Sequence, residues 1–426
     1  MNKQRSMQSI LATLVASLTL CLVITIIVLV PAQAGTTIVV TTTDDELNTD
    51  GDCSLREAIK AANTDSIISG CPAGNGADTI VLPSGTYRLT TGLTEYITIE
   101  SELILEGAGS ATTIIDGEKL SGVFYTSGPL TATISGVTIQ NGQILGSGGG
   151  GILNTGPLML VNSVVISNTA SSGGGIYNQD GNLTLMNSTV GNNSASTGGG
   201  GGIYNKSGAV TLINGTVSYN HADSFIGGGI SNQYGGTLIL INSTVSQNNA
   251  RTVGGITADD ESPITLINST IYSNTMTSFS APGGIYSAGT VNIKNTIIAG
   301  NTKAGGNPSD CFATLTSQGY NLIQETTNCT IIGDTTGNQT GVSPSLGSLE
   351  DNGGPTLTHA LLAGSPAIDA GNPSGCTDHI GNQLVTDQRG FPRAIDGDDN
   401  GSVICDIGAY ELWEPSHWVF LPLVQR

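Results

Sequence analysis

The chain has 426 residues, of which 60 are Gly, 4% are aromatic and 11% are charged, and its 13 Lys plus Arg against 33 Asp plus Glu give a formal net charge of −20. So thin a supply of aromatic and charged side chains departs from the composition of an ordinary globular enzyme, and the acidic balance excludes nucleic acid or an anionic membrane held by charge. The abundant Gly, Ser, Thr, Asn and Val suit an all-β repeat protein in which turns recur at short intervals.

Lys3 and Arg5 precede an apolar run over residues 10–30, and Ala32-Gln33-Ala34 offers small residues for cleavage before Gly35. Residues 1–34 read as a secretory signal peptide, which makes the protein secreted or extracellular, with attachment to the cell surface as the variant of that reading. An uncleaved anchor is the alternative, since about 20 apolar residues span a bilayer. After cleavage no stable membrane span is expected.

Residues 35–100 form an N-terminal module. Ser54-Leu55-Arg56-Glu57 is a capping box, and Leu55, Ala58, Ile59 and Ala62 fall on one face of the short helix it starts. That helix is expected to lie over the first strands as an N-terminal cap, which gives Arg56 and Glu57 structural work.

Residues 101–335 carry a repeat. Asn162, Asn187, Asn214, Asn242, Asn268 and Asn295 recur in steps of 25 to 28 residues, and a second Asn follows each one six residues later, at Asn168, Asn193, Asn220, Asn248, Asn274 and Asn301. A constant offset inside a variable period marks a solenoid. Before each first Asn, Leu158, Leu183, Val210, Leu238, Ile264 and Val291 form one apolar column, and Leu160, Leu185, Leu212, Leu240, Leu266 and Ile293 form another two residues on. That period of two marks a strand with one buried face. A third column, Val165, Val190, Val217, Val245, Ile271 and Ile298, follows the Asn, so each repeat predicts two or three short strands. The fold expected is all-β: a right-handed parallel β-helix with a short N-terminal helical cap and a C-terminal capping domain. Coils stacked at about 4.8 Å would turn both Asn columns into amide ladders. The Gly-Gly before each strand would supply a tight turn or a close backbone approach.

Residues 336–412 leave the repeat as a C-terminal domain, and 413–426 form a tail, Trp418-Val419-Phe420-Leu421-Pro422 within it, that reads as a sorting signal or a last strand. Six cysteines lie beyond the signal segment, and an exported protein pairs them. Six allow 15 connectivities, but they fall in local pairs 18, 18 and 29 residues apart, which favours Cys53 with Cys71, Cys311 with Cys329, and Cys376 with Cys405.

Candidate chemistry is sparse. Asp180 and Asp260 share a repeat position three coils apart, roughly 14 Å, whereas glycoside hydrolysis wants two carboxyl groups about 5 to 9.5 Å apart. Asp223 is expected to pair with Arg251 one coil on. Asp396-Gly397-Asp398-Asp399-Asn400-Gly401 matches the first half of an EF-hand loop, but its twelfth position is Ile407 instead of Glu. The candidate Ca2+ ligands are therefore Asp396, Asp398 and Asn400, with Asp406 standing in for the missing Glu. No catalytic residue is assigned, and no cofactor is required.

Cys53-Ser54-Leu55-Arg56-Glu57-Ala58 resembles the module named for that string, CSLREA, of exported bacterial β-helix proteins. Asp351-Asn352-Gly353-Gly354-Pro355, Gly364-Ser365-Pro366-Ala367-Ile368-Asp369-Ala370-Gly371, Asp387-Gln388-Arg389-Gly390 and Cys405-Asp406-Ile407-Gly408-Ala409-Tyr410-Glu411 resemble the choice-of-anchor Q domain. The middle resembles pectate-lyase-like and polymorphic outer-membrane-protein repeats. The resemblance implies a secreted or surface-attached β-helix and supplies no catalytic residue. The function expected is a structural or adhesive one, as a monomer, with polysaccharide or another cell-surface ligand as partner. A polysaccharide lyase or glycoside hydrolase is the alternative, with its acids near Asp116 or Asp310.

Overall fold

The computed structural model describes residues 34–91, 96–146, 148–223, 226–278, 281–397 and 400–413. The expected signal peptide, apart from Ala34, and the tail beyond Trp413 lie outside them.

Each regular repeat supplies four strands instead of the expected two or three. In one coil these are Ile203–Lys206, Ala209–Ile213, Thr216–Ser218 and His221–Ala222. Each pairs in parallel with its counterpart in the next coil, Ile203 with Ile230, Leu212 with Leu240, Val217 with Val245 and Ala222 with Ala250. The first and second strands of all coils merge into one sheet of 19 strands, because Ile285–Lys294 runs unbroken through both. The third strands build a sheet of 11 and the fourth a sheet of 8. The fourth strand escaped the sequence reading because it is two residues long and its inward side chain is only Ala170, Ala195, Ala222 or Ala250.

The apolar columns face inward and form one continuous core from Ile38 to Ile323. The second Asn column is buried with them. Asn193 Nδ2 donates to Asn220 Oδ1 at 3.0 Å, Asn220 to Asn248 at 2.9 Å, Asn248 to Asn274 at 2.9 Å and Asn274 to Asn301 at 2.9 Å. The backbone N–H of each donates to the same oxygen. All the amides point one way and so reinforce one another. The ladder ends on a carboxylate, where Asn301 Nδ2 donates to Asp310 Oδ1 at 2.8 Å.

The first Asn column does different work. Its members adopt φ between 45° and 54°, the left-handed region that Asn tolerates better than most residues. Their side chains bond along the column only at the start, Asn187 to Asn162 at 3.2 Å and Asn214 to Asn187 at 3.1 Å. A further ladder lies one residue beyond each outward side chain of the first strand. Asn154, Asn178, Asn205 and Asn232 are buried, with successive Nδ2 to Oδ1 distances of 2.6, 2.7 and 2.6 Å. The glycine pair before the first strand is a close approach: a Cβ on Gly201 would stand 2.3 Å from the His221 carbonyl and 2.4 Å from that of Gly228.

At the N-terminal end, helix α1 (Leu55–Thr64) has both halves of the Ser54–Glu57 capping box and buries Leu55, Ala58, Ile59 and Ala62. It packs on strands Ala77–Leu82 and Ile97–Ile99, where Asn63 donates to the Thr98 carbonyl. Arg56 is held by Asp45 at 2.7 Å.

The C-terminal segment does not sit over the last coil as an end cap. It turns back and lies along the 11-stranded face. Thr356 donates to the Asn214 carbonyl, Gln388 to Thr216, Arg393 to Asn242, and Ala409 N–H to Thr270 Oγ1. Gln388, Arg393 and Glu411 are buried there, so the motif residues serve to fix irregular chain against the outward Thr and Asn of the coils. The three nearest-neighbour disulfides are present. Among the described residues no helix is long and apolar enough to cross a membrane.

Candidate functional site

Side chains alternate along a strand, so the residue after each buried first-strand Ile faces outward. Register places Tyr125 beside Leu153, Leu153 beside Tyr177, and Tyr177 beside Tyr204. The same column continues through Ser231 and Thr257 to Tyr286 and Phe312. In a chain with so few aromatic residues, five of them stand in one file directed away from the core, although Tyr177 and the intervening Ser231 and Thr257 are buried. Tyr177 and Tyr204 have ring centroids 5.1 Å apart, and Tyr286 and Phe312 stack at 5.7 Å with planes 20° apart. Tyr96 adds a ring 6.4 Å from that of Tyr125. Sequence reading missed the file because it followed the inward columns, although Gly-Gly-Ile-Tyr recurs at Tyr177, Tyr204 and Tyr286.

Polar groups border the rings. Two residues beyond Tyr204, Lys206 places Nζ 5.7 Å from the centre of the Tyr234 ring. Burial raises the Tyr177 and Tyr204 phenols above their ordinary range, so both stay protonated donors. Asp259 accepts the Tyr234 N–H at 2.6 Å, which makes it part of the turn. Asp180 and Tyr234 occupy the turn that follows this strand, both at positive φ. The arrangement offers flat apolar faces edged by hydroxyl, ammonium and carboxylate groups, a surface suited to binding.

The Ca2+ candidates are not gathered into one shell among the described residues. Asp396 accepts the N–H groups of Asn400 at 3.0 Å and Gly401 at 2.8 Å, and Asn400 Oδ1 accepts that of Ser402. Asp398 lies outside the described residues. Asp406 is buried and accepts the N–H groups of Asp369 and Leu412. Burial, with Glu411 close by, raises its pKa well above the ordinary carboxylate range.

The grouping of acids that does bring ligand atoms together is Glu46, Asp50 and Asp52, within 4.8 Å of one another. Desolvation and the two neighbouring carboxylates push Glu46 up to about 7. The signal was Glu46-x-Asn48-x-Asp50-Gly51 with Glu57 at the twelfth position. Glu57 closes the capping box instead, accepting the N–H groups of Asn48 and Ser54.

Of the other acids, Asp116 is buried on the 11-stranded face, where Gln140 and Asn141 donate to its carboxylate at 2.8 and 3.0 Å. Its cross-strand neighbour Arg88 pairs with Glu118. Asp310 ends the amide ladder, and burial pushes it up to about 6. Asp223 takes His221 as partner at 2.8 Å, two residues back on the same strand face, in place of the expected Arg251.

No protein-family model matches the chain, and no curated protein matches it. Among solved structures the chain is similar to the crystal structure of pectate lyase Pel9A, with a TM-score of 0.54 over 88% of this chain and 96% of that one, at 15% identity. The class defined is the pectate-lyase-like parallel β-helix. At that identity the likeness concerns fold alone.

Proposed function

We propose that this is an exported β-helix protein, carrying CSLREA-like and choice-of-anchor-Q-like ends, that acts as a structural or adhesive scaffold at or beyond the cell surface and holds polysaccharide along its outward aromatic file. The observation that carries the reading is the file itself. Two pairs of rings stand on adjacent coils, Tyr177 with Tyr204 and Tyr286 with Phe312, at a spacing close to the length of one pyranose unit, and apolar ring faces edged by hydrogen-bonding groups suit sugar rings. The fold likeness to a protein titled a pectate lyase supports polysaccharide as the ligand class. The reading requires no cofactor.

A second reading, polysaccharide lyase or glycoside hydrolase, is favoured by the Arg88–Glu118 pair beside Asp116, where an arginine and two acids meet on one face. A glycan array with and without Ca2+, followed by assay of each bound glycan for new ends, separates the two. Binding without cleavage supports the scaffold. Cleavage that disappears in Arg88→Ala supports the enzyme, and an array with no bound glycan refutes both.

A further inference from the structure

The aromatic file is unequal along its length, and its last member is the most open. Phe312 is 50% exposed, and Tyr286 covers only one face of its ring, in the near-parallel stack. Beyond it lies a cleft of about 170 Å³ lined by Phe312 together with Pro282, Lys303, Ser309 and Asn328. A half-exposed ring that forms the wall of a cleft, with hydroxyl, amide and ammonium groups on the other sides, is the arrangement of a small-molecule subsite.

Charge decides the kind of sugar. Glu325 is held below the ordinary carboxylate range mainly by its hydrogen bonds from Thr327 and to a lesser degree by the Lys303 ammonium, so an acid stands in the field of the cleft's cation. Lys206 has Asp180 and Asp259 among the groups around its tyrosine neighbours. The whole chain carries −20. A polyuronate, with one negative charge on every unit, would meet repulsion from so acidic a chain, and the two lysines named here, each with carboxylates in its neighbourhood, offset little of it. An uncharged sugar meets none.

We propose that the cleft beside Phe312 is the main sugar subsite of the file and that it takes a unit of a neutral polysaccharide, stacked on Phe312 and hydrogen-bonded by Ser309, Lys303 and Asn328. This rests on the polysaccharide reading above. Ser309 is buried at the wall, whereas Asn328 is exposed at the rim, so the buried hydroxyl fixes orientation and the amide closes over the ligand.

The test is calorimetric titration of the purified protein with neutral hexasaccharides (cello-, xylo-, manno- and malto-) and with hexagalacturonate, at low and at physiological salt. Phe312→Ala, Asn328→Ala and Tyr204→Ala are run in parallel, each first shown to keep the parent's circular dichroism. The expected result is binding of at least one neutral hexasaccharide, insensitive to salt, weakened tenfold or more in Phe312→Ala, several-fold in Asn328→Ala and less in Tyr204→Ala. Preference for hexagalacturonate, or neutral binding that survives Phe312→Ala and is lost in Tyr204→Ala, overturns the subsite while leaving the polysaccharide reading in place. Binding of neither class overturns both.

Discussion

The two Asn columns look alike in sequence and should respond oppositely to substitution. Asn248 is buried at the middle of the ladder, where its Oδ1 accepts from Asn220 N–H at 3.0 Å and Asn220 Nδ2 at 2.9 Å, while its Nδ2 donates to the Val217 carbonyl and to Asn274 Oδ1, both at 2.9 Å. Asn248→Leu keeps the volume but removes all four bonds. It strands the Asn220 N–H and one Asn220 amide hydrogen in a dry interior, at about 1 to 3 kcal/mol for each buried group left unpaired, for a total of about 2 to 6 kcal/mol. Asn162 is exposed with φ of 48°. Asn162→Ala should cost the left-handed strain, about 1 kcal/mol, and Asn162→Gly less, since the bond from Asn187 that both remove is exposed to water. Urea unfolding followed by far-UV circular dichroism gives the three differences directly, provided the slopes agree. A cost below about 1 kcal/mol for Asn248→Leu, or a larger one for Asn162→Ala, would sink the division into a buried ladder and a bend.

Further expectations concern the ladder's end, the glycine column and the crosslinks. Asp310 has a folded-state pKa of about 6 against an ordinary 3.8, so the folded protein holds that proton more tightly. Its stabilisation is complete below about pH 3.8 and fades as pH rises through about 6. Between pH 4 and pH 7 the wild type should lose about 2 kcal/mol more than Asp310→Asn, and parallel stability profiles for the two would contradict this. Gly201→Ala should destabilise by about 2 kcal/mol through contact with two carbonyls, whereas Gly146→Ala, with nothing near its would-be Cβ, should be neutral; equal melting temperatures would count against the close approach. Mild reduction should raise hydrogen exchange near Cys53–Cys71 and Cys311–Cys329, whose 18-residue loops are each worth about 3 kcal/mol by chain entropy. The central coils should keep their β signal, so its loss throughout would be the contrary outcome.

The scaffold was legible because inward side chains repeat as Leu, Ile and Val, and a period-two pattern has one structural meaning. The Asn columns were legible in position and only partly in role, since left-handed bends and buried ladders both select Asn and differ in backbone conformation and in whether the amides bond along the column. The place of the C-terminal segment was not legible. Gln388 and Arg393 are spent on contacts with Thr216 and Asn242, 172 and 151 residues away in sequence, and no local pattern encodes that. The aromatic file was written in Tyr177, Tyr204 and Tyr286, but its meaning depended on which face of the strand looks outward, and Phe312, which pairs with Tyr286, follows Asp310-Cys311 instead of the Gly-Gly-Ile that marks the others.

The most direct test of the central claim is oxidative footprinting of the protein with and without the glycan it binds best. Protection of Tyr204, Tyr234, Tyr286 and Phe312 is expected, with Tyr219, exposed in the bend after Thr216–Ser218, unchanged. Protection at Tyr219 or around Arg88, with the file left reactive, would place the ligand elsewhere and contradict the account.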